Sequence, residues 1–306
     1  MKSIGIRERL VERFAEQPEI TIPEEIIDRA AQLREIPGLA IVEIAGRDSI
    51  AAAIKAFEEG HVNVLLPTVA YNGAQYGSLD TVEAAIEMLR DQIGAEHVLE
   101  ATVIGSPKFW LALNLRYQHL LYEQFGFFTS CVGCHLYIHA IRVPLARHIG
   151  CRVVISGERE IHQRGIKVNQ RGIVLDHYAK LLAEFGIELL HPIRKIDAGD
   201  EIVRLLGRKW EGGKDQLHCV LSGSYRDPDG SVDYGPGRRF SDEKSARFLE
   251  EFGLPVAQVI LEKLCRGEAV DYDCMAANVL EQLQQSNSNS KSKTKGQLKK
   301  MKSRIA

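Results

Sequence analysis

Short, almost unbroken apolar runs recur along the chain at Leu39–Ile44, Val62–Val69, Val98–Ile104, Cys151–Ser156 and Ile187–Leu190. Runs of this length without polar alternation predict strands buried on both faces, as in a parallel sheet. Between them the spacing becomes helical, at Ile50–Phe57, Leu79–Ile93, Phe109–Phe125, Gly172–Phe185 and Asp200–Leu206, and later at Arg247–Glu250 and Pro255–Leu264. Strands alternating with helices predict an α/β protein built on a doubly wound, mostly parallel sheet. Ahead of it, Ile4 to about Leu33 predicts two helices, with Pro23 before Glu24 and Glu25 favouring a helix start. The expected organisation is a helical N-terminal extension over 1–38, the α/β domain over 39–224, loops and helices over 225–284, and a tail over 285–306. No internal repeat is present.

Three stretches carry chemistry. The first apolar run passes through Ala45-Gly46-Arg47-Asp48-Ser49 into a helix. A strand, a turn of small residues and a helix aim backbone N–H groups and a helix dipole at an anion. Gly46 lets the backbone approach phosphate, Ser49 adds a donor, and Asp48 caps the helix or holds a cation. Ligands of doubly wound sheets bind beyond the carboxyl ends of strands, which marks Pro67 and Thr68 at the close of the second run and Gly157 and Glu158 after the fourth. The second stretch is Cys131-Val132-Gly133-Cys134 at the start of a helical run that Pro144 interrupts. On its own the pair reads as a redox motif, half a metal site or two ordinary cysteines. His135 and His139 follow it, four residues apart and able to share a face. The third is Cys219, just ahead of Ser222-Gly223.

Composition narrows the setting. With 45% hydrophobic and 26% charged residues over 306 positions, the chain has the balance of a soluble globular protein. No run approaches the roughly 18 apolar residues of a membrane span, and the charged N-terminus is unlike a signal peptide. A cytoplasmic location is expected, in which six cysteines serve as thiols or metal ligands. From Gln285 onward six Lys and one Arg face no acid, so the tail carries +7 and the remainder −9. Such a tail is expected to be disordered, either holding an RNA backbone or solubilising the chain.

Gly46, Asp48 and Ser49 match the Ser-Gly-Gly-x-Asp-Ser phosphate loop of the PP-loop, or N-type ATP pyrophosphatase, superfamily, with Ile44 and Ala45 in place of its leading Ser-Gly. From Leu39 to Gly223 the order of parts resembles the tRNA 2-thiocytidine and 2-thiouridine synthetases of that superfamily. The resemblance implies an adenine nucleotide alpha hydrolase-like fold and an ATP-dependent sulfurtransferase that adenylates a carbonyl oxygen and replaces it with sulfur. It implies a [4Fe-4S] cluster on Cys131, Cys134 and Cys219, with one iron left open. ATP and Mg2+ would be bound by Ala45, Gly46, Arg47, Asp48, Ser49, Pro67, Thr68, Gly157 and Glu158. Asp48 and Arg159 are the catalytic candidates, with Arg47 and Arg159 stabilising the departing pyrophosphate.

The implied partners are a tRNA or a small nucleobase-like acceptor, sulfide or a sulfur-donor protein, and a second copy of the chain, with no membrane. The acidic folded part and the lack of paired zinc ribbons make the small acceptor a serious alternative to tRNA. Other readings stay open at this point. One is zinc on the three cysteines plus His135 or His139, in a PP-loop ligase or amidase-like enzyme. Another is a nucleotide- or RNA-binding protein without turnover. Cys151 reads as core, and Cys265 and Cys274 lie outside the resemblance. His139, Arg142, His162, Lys167 and Asn169 form a dense polar set around the expected site.

Overall fold

The structure is a computed structural model and describes residues 19–162, 165–211 and 214–286. The expected segment from Ile4 to residue 18 and nearly all of the basic tail fall outside the described residues. Five parallel strands form the central sheet: β1 (Leu39–Glu43), β2 (Val64–Tyr71), β4 (Thr102–Gly105), β5 (Val153–Ile155) and β6 (Glu188–Leu190), in the order β4-β2-β1-β5-β6. A two-residue antiparallel ribbon pairs β3 (Gln75–Tyr76) with β7 (His218–Cys219).

Burial on both faces explains the unbroken apolar runs. Ala40 and Val42 of β1 pack into one core with α3 (Arg47–Glu58), α4 (Asp80–Ile93) and α10 (Gly199–Leu206). Leu39 and Ile41 point the other way, into a second core with α7 (Ser130–Ala140), α8 (Val143–His148), α9 (Gly172–Glu184) and α12 (Leu254–Cys265). The period of two then sends Glu43 toward the α7 face. Ala51, Ala52, Ala53 and Ala56 let α3 lie close on the sheet, while Ile50 and Ile54 fill the space beside it. Each buried isoleucine contributes roughly 1.5–3 kcal/mol.

Several elements differ from the sequence reading. Phe109–Phe125 is not one helix but two, α5 (Pro107–Leu113) and α6 (Gln118–Phe125). Asn114 breaks it: its φ and ψ of −123° and −82° leave the helical region, and its side chain donates to the Trp110 carbonyl instead. Pro144 falls in the first turn of α8, so the interrupted run is two helices. Pro23 is the N-cap of α1 (Glu24–Ile27), and α2 (Ala30–Arg34) follows. Pro67 sits inside β2, which is paired on both sides. Leu65 gives its carbonyl to Leu99 on the β4 side, so Pro67 also faces that side, in the gap before Thr68 pairs with Thr102. α11 (Asp242–Phe248) and a last helix over residues 272–286 complete the α7 side. No helix among the described residues is long and apolar enough to cross a membrane.

Candidate active site

The strand order reverses between β1 and β5, and a cavity of about 450 Å3 opens beyond their carboxyl ends. Ala45 to Ser49 form one wall and Ser156 to Glu158 another. Ser49 organises the first: its Oγ donates to the Gly46 carbonyl at 2.6 Å and accepts from the amides of Ala45 and Gly46 at 3.1 Å each. The loop is thus folded around a hydroxyl at the amino end of α3. Gly46 has extended backbone, and its missing side chain leaves room for Gln216, which a Cβ would meet at 2.7 Å.

Two basic residues approach the loop with different surroundings. Arg159 is buried, pairs with Asp48 at 3.0 Å and donates to the carbonyls of Ile196 and Asp197. It does not line the cavity; it fixes Asp48, whose other oxygen takes Arg47 at 2.7 Å. Lys167 does line the cavity and has no ion-pair partner within 4 Å among the described residues. Burial lowers its pKa, against the pull of Asp48 and Glu158.

Behind the loop lies a buried charged layer. His139 Nδ1 meets Glu43 at 2.8 Å, and Arg142 lies 3.6 Å from the same oxygen. Arg142 also donates to the hydroxyl and carbonyl of Thr68, joining α8 to β2. Glu158 is bonded to His135 Nδ1 and to the Gln170 amide, and Asn169 meets His135 Nε2 at 2.8 Å. Burial opposes ionisation of both carboxylates, but the histidines outweigh it and hold both below the usual range, with Arg142 adding to the effect on Glu43.

The three candidate metal-binding cysteines sit on two elements next to this cavity: Cys131 and Cys134 on α7, and Cys219 on β7. Tyr137 anchors α7 by donating to the Tyr71 carbonyl at 2.7 Å, and Tyr178 does so by donating to that of Val132 at 2.7 Å. Gly133 permits the close approach of α5, since a Cβ there would lie 2.5 Å from Asn114 Oδ1. Cys219 pairs in the ribbon with Gln75, and the amide of Val220 donates to Ala74. Asn72 accepts from the Ala74 amide and donates to Cys134 Sγ at 3.5 Å; Trp110 Nε1 donates to the same sulfur at 3.2 Å. Cys131 donates to the carbonyl of Leu221, two residues past Cys219.

Burial, with the charge of Cys219 adding to it, pushes the Cys131 thiol up to about 11 and the Cys134 thiol up to about 12. Soft thiols converging from two elements, with N–H groups aimed at one sulfur, fit a thiolate-bound iron–sulfur cluster. The histidines do not complete this set, because His135 and His139 are turned to Glu158 and Glu43.

The structure therefore brings Ala45, Gly46, Arg47, Asp48, Ser49, Gly157 and Glu158 together around the cavity. Pro67 and Thr68 do not line it. β2 continues to Tyr71, which leaves both in mid-strand, and Ala70 is the β2 residue at the wall. Sequence reasoning missed Glu43, Trp110, Asn72, Gln170 and Gln216. Glu43 closes an apolar strand, and Trp110 reads as core; only the fold reveals their partners.

Fold and site together define an α/β protein with a strand–loop–helix cavity beside a cysteine cluster. The chain belongs to the family of the uncharacterized protein MJ0009 of Methanocaldococcus jannaschii, with which it is 39% identical over 246 residues, 79% of this chain and 85% of the relative. No protein-family model matches it. Among solved structures it is similar to a 4-thiouridine synthetase in complex with RNA and bound ATP (TM-score 0.46, 16% identity), the match covering 75% of this chain and 53% of that one. It is also similar to the U34-tRNA thiolase NcsA from Methanococcus maripaludis with its [4Fe-4S] cluster (TM-score 0.36, 13% identity; 84% and 81% of the two chains).

Proposed function

We propose that the protein is an ATP-dependent sulfurtransferase of PP-loop type. The observation that supports this reading is that Cys131, beside the strand–loop–helix cavity, bonds through Sγ to the carbonyl of Leu221 at 3.4 Å, two residues past Cys219. Cavity and thiols share their walls: His135 follows Cys134, and Gln75 is the ladder partner of Cys219. A cavity of about 450 Å3 is in the range of small-molecule sites.

The chemistry has two steps. A carbonyl oxygen of the acceptor attacks the α-phosphorus of ATP and pyrophosphate leaves; a sulfur nucleophile then displaces AMP. The amino end of α3, Arg47 and Lys167 supply positive potential for the departing pyrophosphate. Asp48, oriented by Arg159, would hold the cation that accompanies the triphosphate, for which Mg2+ is the usual choice. When bound to Cys131, Cys134 and Cys219, a [4Fe-4S] cluster supplies an iron with an open position at which sulfide is carried. Trp110 and Asn72 stabilise the Cys134 thiolate by hydrogen bonding. The acceptor is a tRNA base or a small nucleobase-like molecule.

The test is anaerobic purification with iron and acid-labile sulfide analysis, followed by pyrophosphate release and mass spectrometry of candidate acceptors. Iron and sulfide near four per chain, with an acceptor gaining sulfur in place of oxygen, is the expected result. Protein without iron and sulfide after anaerobic reconstitution, or without pyrophosphate release for any acceptor, overturns the reading.

A further inference from the structure

Outside the thiols, the described residues contain one group whose donor atoms close on a common point: His135, His139 and Glu158, all within 4.8 Å of one another. The two histidines stand one turn apart on α7, and Glu158 comes from the loop after β5. From this arrangement we infer a second metal site, for a zinc-class divalent ion, distinct from the cysteine cluster and opening into the cavity.

His139 makes the strongest case. It is fully buried, and its Nδ1 lies 2.8 Å from the Glu43 carboxylate. That contact places the proton of a neutral ring on Nδ1 and turns the Nε2 lone pair inward. Nε2 has no hydrogen-bond partner among the described residues, and a Glu158 oxygen stands 3.8 Å away. This is too long for a hydrogen bond, so a buried ring nitrogen and a buried carboxylate oxygen face each other without a direct bond. Zinc bonds of about 2.0–2.2 Å at a tetrahedral angle set N and O donors roughly 3.4 Å apart. For His139 and Glu158 a few tenths of an ångström of inward movement suffices, while His135 has to swing off its direct bond to Glu158 to take its place in the shell. His135 already meets Glu158 through Nδ1; to ligate there it gives up that proton, and the Asn169 side chain, 2.8 Å from Nε2, turns its amide to accept from Nε2–H.

The surroundings are those of a ligated site. Glu43 backs His139 in the manner of a carboxylate–histidine–metal relay, Gln170 holds Glu158, and Asn169 holds His135. Two imidazoles and one carboxylate select a zinc-class ion over magnesium, which prefers an all-oxygen shell. Three protein donors leave a position open. Because His135 and Glu158 line the cavity, that position faces whatever occupies it, and a water or a substrate oxygen completes the shell.

The inference does not rest on the sulfurtransferase reading, and its test separates the two. Full-length protein carrying Cys131→Ser, Cys134→Ser and Cys219→Ser is stripped with chelator and titrated with Zn2+ alone against a chromophoric competitor. One zinc per chain should still bind. Adding His135→Gln or Glu158→Gln should weaken it more than about tenfold, and Glu43→Gln, which touches no metal, by about 10- to 100-fold. Absence of zinc binding in the folded triple variant, or unchanged affinity in the Gln variants, overturns the site. If the triple variant fails to fold, Co2+ is added to the wild-type chain. His135→Gln, a half-exposed position, should then remove the visible bands of the nitrogen–oxygen site and spare the sulfur charge-transfer bands. An identical spectrum overturns the proposal.

Discussion

Gly157 and Ser49 touch through their backbones: a Cβ on Gly157 would lie 2.4 Å from the Ser49 nitrogen and 2.5 Å from the Asp48 carbonyl carbon. The loop after β5 is thereby pressed onto the amino end of α3, which closes the cavity on two sides. Gly157→Ala has to push backbone from backbone and should cost roughly 1–3 kcal/mol, with weakened ATP binding. Gly46→Ala meets the side chain of Gln216, which can move, and its backbone is extended. It should cost less. Urea unfolding of the two variants checks the order, and equal costs would refute the account of the contact.

Asp48 and Arg159 form the pair that the cavity depends on without Arg159 entering it. Asp48→Asn leaves Arg159 buried with only carbonyls as partners, and Arg159→Met leaves Asp48 to Arg47. Breaking a buried pair costs roughly 3–5 kcal/mol, and the partial exposure of Asp48 sets the expectation at the low end. The double variant should be more stable than the two single costs added together, by a coupling of about 1 kcal/mol or more. A double-mutant cycle in urea measures it, and zero coupling would show that the two side chains act separately.

The fold was legible because its signals are local. Unbroken apolar strands alternating with helices are enough to give a parallel sheet, and Pro144 is enough to divide a helix. What escaped depends on pairings across the sheet. Glu43 reads as the last residue of an apolar strand, yet it faces a histidine 96 positions away. Arg159 was legible as a loop residue, but not that Asp48 and two carbonyls would use its donors, leaving Lys167 at the cavity wall. Pro67 and Thr68 were placed at a strand end two or three residues too early. The grouping of Cys219 with Cys131 and Cys134 rests on family resemblance; spacing alone does not reveal the ribbon that carries Cys219.

Cys219 lies half-buried on a two-residue ribbon, so Cys219→Ala should leave the α/β core folded while iron and sulfide are lost. Trp110→Phe tests the support of the cluster more finely. It keeps an aromatic ring in the core and removes only the N–H aimed at Cys134 Sγ. Iron loading should persist, but removal by a chelator should be faster than in the parent. Circular dichroism and the time course of iron release are the two measurements. An unchanged release rate would mean that this hydrogen bond does not support a thiolate.

His162 and His191 set the response to acid. Burial lowers both to about 4, with Lys167 adding to the effect on His162 and His139 to that on His191. Both ring nitrogens of His191 are buried without a hydrogen-bond partner among the described residues, so the folded protein has nothing to offer an added proton. The unfolded chain takes up that proton near the ordinary histidine value of about 6.5. Between the two values the unfolded state binds more protons, so stability is complete above about pH 6.5 and falls as the pH drops toward 4. The depressed carboxyls of Glu43 and Glu158 add their own loss only further down, once unfolded carboxylates begin to protonate. His191→Gln cannot titrate and should reduce the slope of the urea midpoint between pH 6.5 and 4, with His162 supplying the remainder, even if it lowers stability at neutral pH. A variant with the same slope as the parent across that window would rule out His191 as a source of the acid sensitivity.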